Sequence, residues 1–226
     1  MTQWRPEQGR SEEVRKRVED IFRKGIRLKE NFLKNNAATL ERAVQALAGA
    51  LGRGNKVLLF GNGGSAADAQ HIAAEFVNRY LVDRRPLPAV ALTTDTSIIT
   101  AIANDFSFEE VFEKQVRAIG KEGDAAIGIS TSGNSPNVVR ALKTAHDLGL
   151  ITIGIGGPVG TPMENHCDFY LSVERDVTPR VQEVHLVIGH TLVELVDEIL
   201  FRLQKESSGL CAVDDPASEC GHSEAD

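Results

Sequence analysis

The chain has 226 residues, 42% hydrophobic and 25% charged, which is typical of one globular domain with a single core. Its net charge is −7, but residues 207–226 carry five acidic side chains and neither Lys nor Arg, so the rest is close to neutral and we expect no nucleic-acid-binding face. We find no apolar leader, no apolar run of about 20 residues and too few cysteines for a disulfide framework. We therefore expect no membrane span and a cytoplasmic protein.

The N-terminal quarter of the chain is predicted to be helical. Residues 1–10 are polar and are expected to form a flexible N-terminus. Residues 11–34 and 37–51 each place apolar side chains at helical spacing beside a charged face, so two amphipathic helices are predicted within an N-terminal helical pair, 11–54. This pair either covers the sheet or forms an oligomer surface, and the sequence leaves both interpretations open.

Residues 55–206 are predicted to form the core of the domain, followed by a disordered acidic tail, 207–226. Short apolar segments alternate there with helical ones, which predicts an α/β fold of three layers around a five-stranded parallel, doubly wound, flavodoxin-like sheet. Residues 83–88 contain two prolines and are interpreted as a linker. Strands are predicted over 56–60, 89–92, 124–129, 151–155 and 168–173, and helices over 65–80, 94–103, 108–119, 136–149 and 179–204.

The first polar loop, Gly61-Asn62-Gly63-Gly64-Ser65, joins a buried strand to a helix. Glycines let the backbone approach a ligand, and the free N–H groups of a first helical turn favour an anion. Ser65 is expected either to cap the helix or to donate its hydroxyl to that anion. The spacing fits neither the dinucleotide fingerprint nor a Walker loop, so the segment alone is equally well explained as a tight turn.

The second polar loop, Ser130-Thr131-Ser132-Gly133-Asn134-Ser135, follows the third predicted strand. It places four hydroxyl groups, three of serine and one of threonine, within six residues at a helix start, whereas a helix end needs only one capping hydroxyl. Together with free backbone amides, these groups could enclose a phosphate with neutral donors. Because the loop contains no Lys or Arg, we expect a phosphate that is held rather than transferred.

Two groups of potential metal ligands lie outside these loops. His71 and Glu75 are four residues apart and share one face of a predicted helix. Gln182, His185 and His190 interrupt the apolar pattern of the last helix. Such nitrogen and oxygen donors suit Zn²⁺, although Gln is an uncommon ligand. Eight helical residues span about 12 Å, so Gln182 and His190 of one chain barely reach one ion, and we hypothesise that helices of different subunits share the site.

Taken together, roughly residues 30–204 resemble the bacterial phosphoheptose isomerases, which are sugar isomerase (SIS) domain proteins. Each matching segment is common on its own, whereas their ordered combination is specific. The segments are Gly61-Asn62-Gly63-Gly64-Ser65, His71-Ile72-Ala73-Ala74-Glu75, Ala103-Asn104-Asp105, Gly128-Ile129-Ser130-Thr131-Ser132-Gly133-Asn134-Ser135 and Gln182-Glu183-Val184-His185 through His190.

The resemblance implies an isomerase that interconverts D-sedoheptulose 7-phosphate and D-glycero-D-manno-heptose 7-phosphate, the first step toward activated heptoses. It implies a cytoplasmic homotetramer with one zinc ion per subunit, and we place the active sites at subunit interfaces. The family's zinc ligands map onto His71, Glu75, Gln182 and His190. Its substrate contacts map onto Asn62, Gly63, Gly64, Glu75, Asn104, Asp105, Ser130, Thr131, Ser132, Ser135 and Gln182, to which the loop chemistry adds Ser65.

Such a reaction moves a proton between C1 and C2 of the sugar through an enediol and needs no redox cofactor. It requires a base near the carbon atoms and an acid near the oxygen atoms, for which Glu75 and His190 are the best candidates. A metal ion could polarise the carbonyl group. Because a carboxylate that is bound to zinc is a weaker base, we expect metal binding and base action at Glu75 to alternate.

Two segments depart from the family pattern, namely the loop 156–160 and the tail with Cys211, Cys220 and His222. Neither touches the mapped site. Two non-catalytic alternatives remain, an SIS protein that binds the replication initiator and a sensor of sugar phosphates. The first class lacks a glutamate at the position of Glu75, and the second is usually fused to a DNA-binding module, so the enzyme is favoured.

Overall fold

A computed structural model of the protein describes residues 8–202, so the predictions for residues 1–7 and for the tail lie outside the described residues. The strands are β1 Val57–Gly61, β2 Ala89–Ala91, β3 Ala125–Ser130, β4 Ile151–Gly156 and β5 Phe169–Ser172. The α-helices are α1 Gln8–Gly52, α2 Gly64–Val77, α3 Thr96–Asp105, α4 Val111–Ile119, α5 Pro136–Asp147 and α6 Thr178–Asp197. Short 3₁₀ segments cover Phe108–Glu110 and Glu164–His166, and a π-helical turn, Glu198–Arg202, extends α6.

The five strands form one parallel sheet in the order β2-β1-β3-β4-β5, which confirms the predicted doubly wound fold. Both faces are covered, because alternate strand residues enter two separate apolar clusters. Val57 and Leu59 pack with α1, α2 and α6, whereas Leu58 and Phe60 pack with α4 and α5. Every residue of β1 and β3 is buried, as expected for the central strands of a sheet that has helices on both faces.

The prediction of two N-terminal helices is wrong, because α1 is one continuous helix of 45 residues. The predicted break falls at residues 35–36, which are two asparagines and therefore weak helix formers. Asn36 is instead buried against the edge strand β5, where its Nδ2 donates to the Ser172 carbonyl oxygen over 3.0 Å and the Ser172 backbone N–H donates to its Oδ1 over 3.3 Å. A tertiary contact to backbone groups of the sheet edge therefore outweighs the low helix propensity.

The sheet order brings the two polar loops together. β1 and β3 are direct neighbours, and Gly61 at the end of β1 is in register with Ile129 of β3. The chain leaves β1 toward one face and β3 toward the other, which makes this the switch point where doubly wound sheets bind ligands. We call this end of the sheet the carboxyl edge and the opposite end the amino edge. No helix in residues 8–202 is long and apolar enough to cross a membrane.

Candidate active site

The glycine loop leaves β1 at Gly61 and enters α2 at Gly64. A Cβ atom at Gly61 would lie 2.8 Å from the Ser65 Cβ and 2.9 Å from the Ile129 carbonyl oxygen, so glycine allows α2 to start this close to β1 and β3. Gly63 has φ +56° and is itself the N-cap of α2, with no capping side chain among the described residues. Of the two roles expected for Ser65, capping is therefore wrong, since Ser65 lies buried within the first turn.

The serine loop gathers its hydroxyl groups at the end of β3. Ser130 Oγ lies 2.9 Å from Ser135 Oγ and 3.4 Å from Ser132 Oγ. The backbone N–H of Asn134 donates to Ser132 Oγ over 3.2 Å. Ser135 occupies the N-cap position of α5, but its hydroxyl pairs with Ser130 and makes no capping bond. Three of the four predicted hydroxyls thus form one cluster beside a helix N-terminus, and Thr131 lies half-buried next to them.

A reciprocal amide pair joins the two loops. Asn62 Nδ2 donates to Asn137 Oδ1, and Asn137 Nδ2 donates to Asn62 Oδ1, each over 2.9 Å. Asn137 is 2% exposed, and its Oδ1 also accepts from the Val138 backbone N–H. The predicted substrate residue Asn62 is therefore held in place by the first turn of α5.

The segment that departs from the family pattern supports the serine loop. A Cβ atom at Gly157 would lie 2.5 Å from the Thr131 carbonyl oxygen, so this loop packs directly on the serine-loop backbone. Gly133, with φ +67°, packs equally closely on the Thr161 side chain. Tyr170 donates its hydroxyl hydrogen to the Gly157 carbonyl oxygen over 3.2 Å, which fixes this support to β5. The departure therefore does bear on the site, contrary to the sequence-based expectation.

His71, Glu75 and His190 meet between α2 and α6 of the same chain. The Nε2 atoms of His71 and His190 are 2.9 Å apart, and Glu75 Oε1 lies 3.5 Å from His71 Nε2. The ring of Tyr80 stacks on the ring of His190 with a centroid distance of 5.5 Å. Two imidazole nitrogens at this distance require one to donate and the other to accept, so in this arrangement the two rings differ in their protonated nitrogen or one is charged.

Gln182, the fourth predicted metal ligand, does not join this group within one chain. It packs over the glycine loop, where a Cβ atom at Gly64 would lie 2.3 Å from Gln182 Nε2. This position agrees with its predicted second role as a substrate contact. Across residues 8–202, no three His, Cys, Asp or Glu side chains are spaced to hold a metal ion. The donor types of His71, Glu75 and His190 are nevertheless those that zinc accepts, so this set fits the ion chemically.

The C-terminal end of α2 is tied to α6 by a buried ion pair. Arg84 Nε donates to Asp197 Oδ1 over 2.7 Å, and the two side chains are 1% and 5% exposed. The other Arg84 nitrogens donate to the carbonyl oxygens of Glu75, over 3.0 Å, and Phe76, over 2.8 Å. These bonds satisfy carbonyl groups that the helix end leaves free. Arg84 therefore fixes the helix that carries Glu75 against the helix that carries His190.

Asn104 and Asp105 pair with each other at the end of α3. Both are exposed at the C-terminal end of α3, where Asn104 Nδ2 donates to Asp105 Oδ1 over 2.8 Å. No hydrogen bond or ion pair in the described part of the chain links either residue to the glycine loop or the serine loop. As exposed side chains that hydrogen-bond to each other, they remain accessible, and their role as substrate contacts stays a prediction.

His185 lies on the buried side of α6, between the two polar ends of the site. Its Nε2 lies 3.1 Å from the Gly156 carbonyl oxygen at the end of β4, so Nε2 carries the hydrogen and donates it. Burial lowers the pKa of His185 to about 4, so the ring is neutral at pH 7. His185 thus anchors α6 to the carboxyl edge as a neutral hydrogen-bond donor.

Sequence reasoning missed the residues that hold the predicted ones in place. Asn137 was predicted only as part of a helix start, and Arg84 fell in a segment interpreted as a linker. Tyr80 was expected to end a helix that in fact ends at Val77. The only signal in the sequence for Arg84 is its place in a segment with two prolines, and this pattern does not indicate that its side chain is buried.

The comparisons with known proteins agree with this geometry. A model of the SIS domain family matches residues 21–157. A phosphoheptose isomerase of Nitratidesulfovibrio vulgaris (strain Hildenborough) is 54% identical over 191 residues, which are 84% of this chain and 92% of that protein.

Two solved structures share the fold at substantial identity. The phosphoheptose isomerase GmhA from Neisseria gonorrhoeae matches with a TM-score of 0.77 and 41% identity, covering 82% of this chain and 99% of that one. A phosphoheptose isomerase from Francisella tularensis matches with a TM-score of 0.78 and 35% identity, covering 82% and 98%. The chain therefore belongs to the phosphoheptose isomerases of the SIS domain family.

Proposed function

We propose that this protein interconverts D-sedoheptulose 7-phosphate and D-glycero-D-manno-heptose 7-phosphate by enediol proton transfer. The observation that carries the proposal is the meeting of Glu75 with the His71–His190 pair on helices that border the glycine loop. A carboxylate and an imidazole in one cleft supply the base and the acid that an aldose–ketose interconversion needs. The family membership agrees with this chemistry.

In this mechanism Glu75 removes the proton from C1 of the ketose, next to the C2 carbonyl group, and returns it to C2. A second proton moves from the C1 hydroxyl to the C2 oxygen, so that the enediol becomes the aldose. The Glu75 side chain is 26% exposed, which leaves the carboxylate accessible to a substrate. His190 gives a proton to the sugar oxygen as negative charge develops there, and Tyr80 fixes the plane of its ring. Arg84 holds the helices that carry Glu75 and His190 in a fixed relative position. Such positioning of the reacting groups contributes to the rate.

The phosphate end of the sugar binds at the serine loop. The hydroxyls of Ser130, Ser132 and Ser135, with Ser65 across the switch point, surround the N-terminal ends of α2 and α5. Backbone N–H groups of these two helix starts favour an anion. The distance from this cluster to Glu75 corresponds to the α2 helix between Ser65 and Glu75, about 15 Å of rise, which leaves room for an extended sugar phosphate.

A zinc ion, one per subunit, belongs to the same proposal. His71, Glu75 and His190 would hold it, and Gln182 would complete the set from another chain, since the Gln182 of the same chain faces the glycine loop. When bound, such an ion would polarise the substrate carbonyl group and favour the enediolate. The earlier hypothesis that helices of different subunits share the site is thus retained only for Gln182, because His71 and His190 meet within one chain.

A homotetramer is the proposed assembly, with α1 as its principal interface. The N-terminal half of α1 exposes large apolar side chains at helical spacing, and Phe22 is 68% exposed. The others are Val14, Val18, Ile26 and Leu33. Such a stripe is typical of helices that pack against a second helix.

A cytoplasmic location is proposed as well. It agrees with Cys167, which is a free cysteine whose pKa burial raises to about 12, so that its thiol stays protonated and unreactive at pH 7. Fractionation of cells that produce the untagged protein would test this location.

The direct test incubates the purified full-length chain with sedoheptulose 7-phosphate and follows the aldose. We expect conversion by the unmodified protein and a loss of at least about a hundredfold in kcat for Glu75→Gln, since an amide cannot accept the proton. Glu122→Gln, exposed at the amino edge, makes the same change in charge and should keep full activity. Full activity of Glu75→Gln would remove Glu75 from the mechanism, and binding without conversion by the unmodified protein would favour a non-catalytic sensor.

A further inference from the structure

A cavity of about 190 Å³ lies directly beside the serine loop. Thr131 and Ser132 form one wall, and the connection between β5 and α6 forms the other. Pro158, from the loop after β4, lies between the two. The cavity therefore continues the proposed phosphate site toward a segment to which neither the sequence motifs nor the mapped family contacts assign a role.

Arg175 is the single cation among the described residues that line this cavity. Its guanidinium group is exposed, and it forms no ion pair with any residue between 8 and 202. The neighbouring charges are already paired: Arg27 Nη2 lies 3.2 Å from Asp176 Oδ2, and Arg180 Nη1 lies 2.9 Å from Glu183 Oε1. Both carboxylate oxygens of Asp176, which also lines the cavity, are thus engaged, Oδ2 by Arg27 and Oδ1 by the Val177 backbone N–H.

Glu174 and Arg175 follow β5, and the chain bends at Arg175, so the two side chains line different cavities. Glu174 lines a different cavity, beside Phe32 of α1, and lies 3.9 Å from Arg27. Of the two acidic residues that flank Arg175, Glu174 therefore lines the other cavity, whereas Arg175 shares its cavity with Thr131 and Ser132 of the serine loop.

We infer that Arg175 is a substrate-binding residue, which supplies to the sugar phosphate the positive charge that the serine loop lacks. The inference rests on the proposed function, because it assumes that the serine loop binds the phosphate group. A phosphate dianion held only by hydroxyls and amides keeps its full charge, and a guanidinium group forms directed, charge-assisted hydrogen bonds to phosphate oxygens. Arg175 then favours phosphorylated over unphosphorylated sugars.

The test compares Arg175→Gln and Arg175→Lys with Arg53→Gln. Arg53 is exposed at the amino edge, so its substitution changes the net charge equally but far from the cavity. For Arg175→Gln we expect KM for the sugar phosphate and the inhibition constant of inorganic phosphate to rise about tenfold with kcat little changed, as for the loss of one charge-assisted bond. Arg175→Lys keeps the charge and should keep part of the affinity and of its salt sensitivity, whereas Arg175→Gln should lose the salt sensitivity and Arg53→Gln should not.

Unchanged KM and inhibition constants in Arg175→Gln would overturn the inference, and so would an equal rise in Arg53→Gln. A failure of the proposed function is recognised separately, since the unmodified protein would then not convert the ketose at all. In that event, calorimetric titration with inorganic phosphate alone still decides the point. Weaker phosphate binding by Arg175→Gln than by Arg53→Gln supports the role of Arg175, and equal binding contradicts it.

Discussion

At the scale of single residues, the site depends on a histidine that cannot carry a charge. The folded state holds His185 neutral with a pKa of about 4, whereas the ordinary value is 6.5. As the pH falls below 6.5, the unfolded chain therefore takes up a proton that the folded chain does not. The stabilisation from neutral His185 is complete above pH 6.5 and is lost as the pH falls through 4.

We predict that lowering the pH from 7.5 to 5 costs about 2 kcal/mol of unfolding free energy through His185 alone. His185→Gln should remove this share of the pH dependence, because an amide can still donate to Gly156 without titrating. The exposed His146→Gln serves as the control and should keep it. Denaturant unfolding at both pH values measures the difference, and an identical pH dependence in His185→Gln and the unmodified protein would contradict the assignment.

The residues that sequence reasoning identified are those whose type is tied to one chemistry. Gly61 and Gly63 mark a close approach and a positive φ, and clustered hydroxyls mark a helix start that can bind an anion. Asn137 and Arg84 act through partners that are 75 and 113 positions away in sequence. Their roles depend on tertiary geometry, for which local spacing contains no signal.

At the scale of elements, the relation between α2 and α6 determines whether Glu75 and His190 face each other. The Arg84–Asp197 pair is the buried polar link between these helices, and Arg84 also closes the end of α2. Element types were predictable because the apolar periodicity changes clearly between strand and helix. The continuity of α1 was not, since it depends on the contact of Asn36 with β5.

We predict that Arg84→Met lowers the unfolding free energy by about 3 kcal/mol, because it removes one partner of a buried ion pair. The matched variant is Arg85→Met, because Arg85 is exposed and packs over the same Phe201 ring. The distance from Cζ to the ring centroid is 5.7 Å for Arg85 and 5.9 Å for Arg84. That variant should cost less than about 1 kcal/mol. Chemical denaturation provides the measurement, and equal losses in both variants would show that the buried pair has no special role.

At the scale of the whole molecule, the doubly wound topology explains why two loops separated by about 70 residues act together. The sequence predicted the sheet and its ligand-binding edge. It did not predict how Gln182, Asn104 and Asp105 relate to the remaining site residues. Gln182 of the same chain packs over the glycine loop, and the proposed completion of the zinc set by another subunit stays a prediction.

If the proposed tetramer forms through α1, we predict that Phe22→Asp combined with Ile26→Asp converts it to smaller species, because two charges would be buried at the proposed interface. Lys24→Asp, on the opposite side of the same helix, is the control for added negative charge. Light scattering during size-exclusion chromatography measures the mass. Loss of activity should accompany dissociation, and a monomeric double variant with full activity would contradict a site shared between subunits.

The central claim is that Glu75 carries a proton between the two carbon atoms of the substrate. Running the reaction of sedoheptulose 7-phosphate in D₂O tests it most directly, because the carboxylate is 26% exposed and can exchange its proton with solvent during the enediol stage. Mass spectrometry of the aldose should find deuterium on C2 with the unmodified protein and no labelled product with Glu75→Gln. Product formed at full rate without any solvent deuterium would contradict the proposed proton transfer.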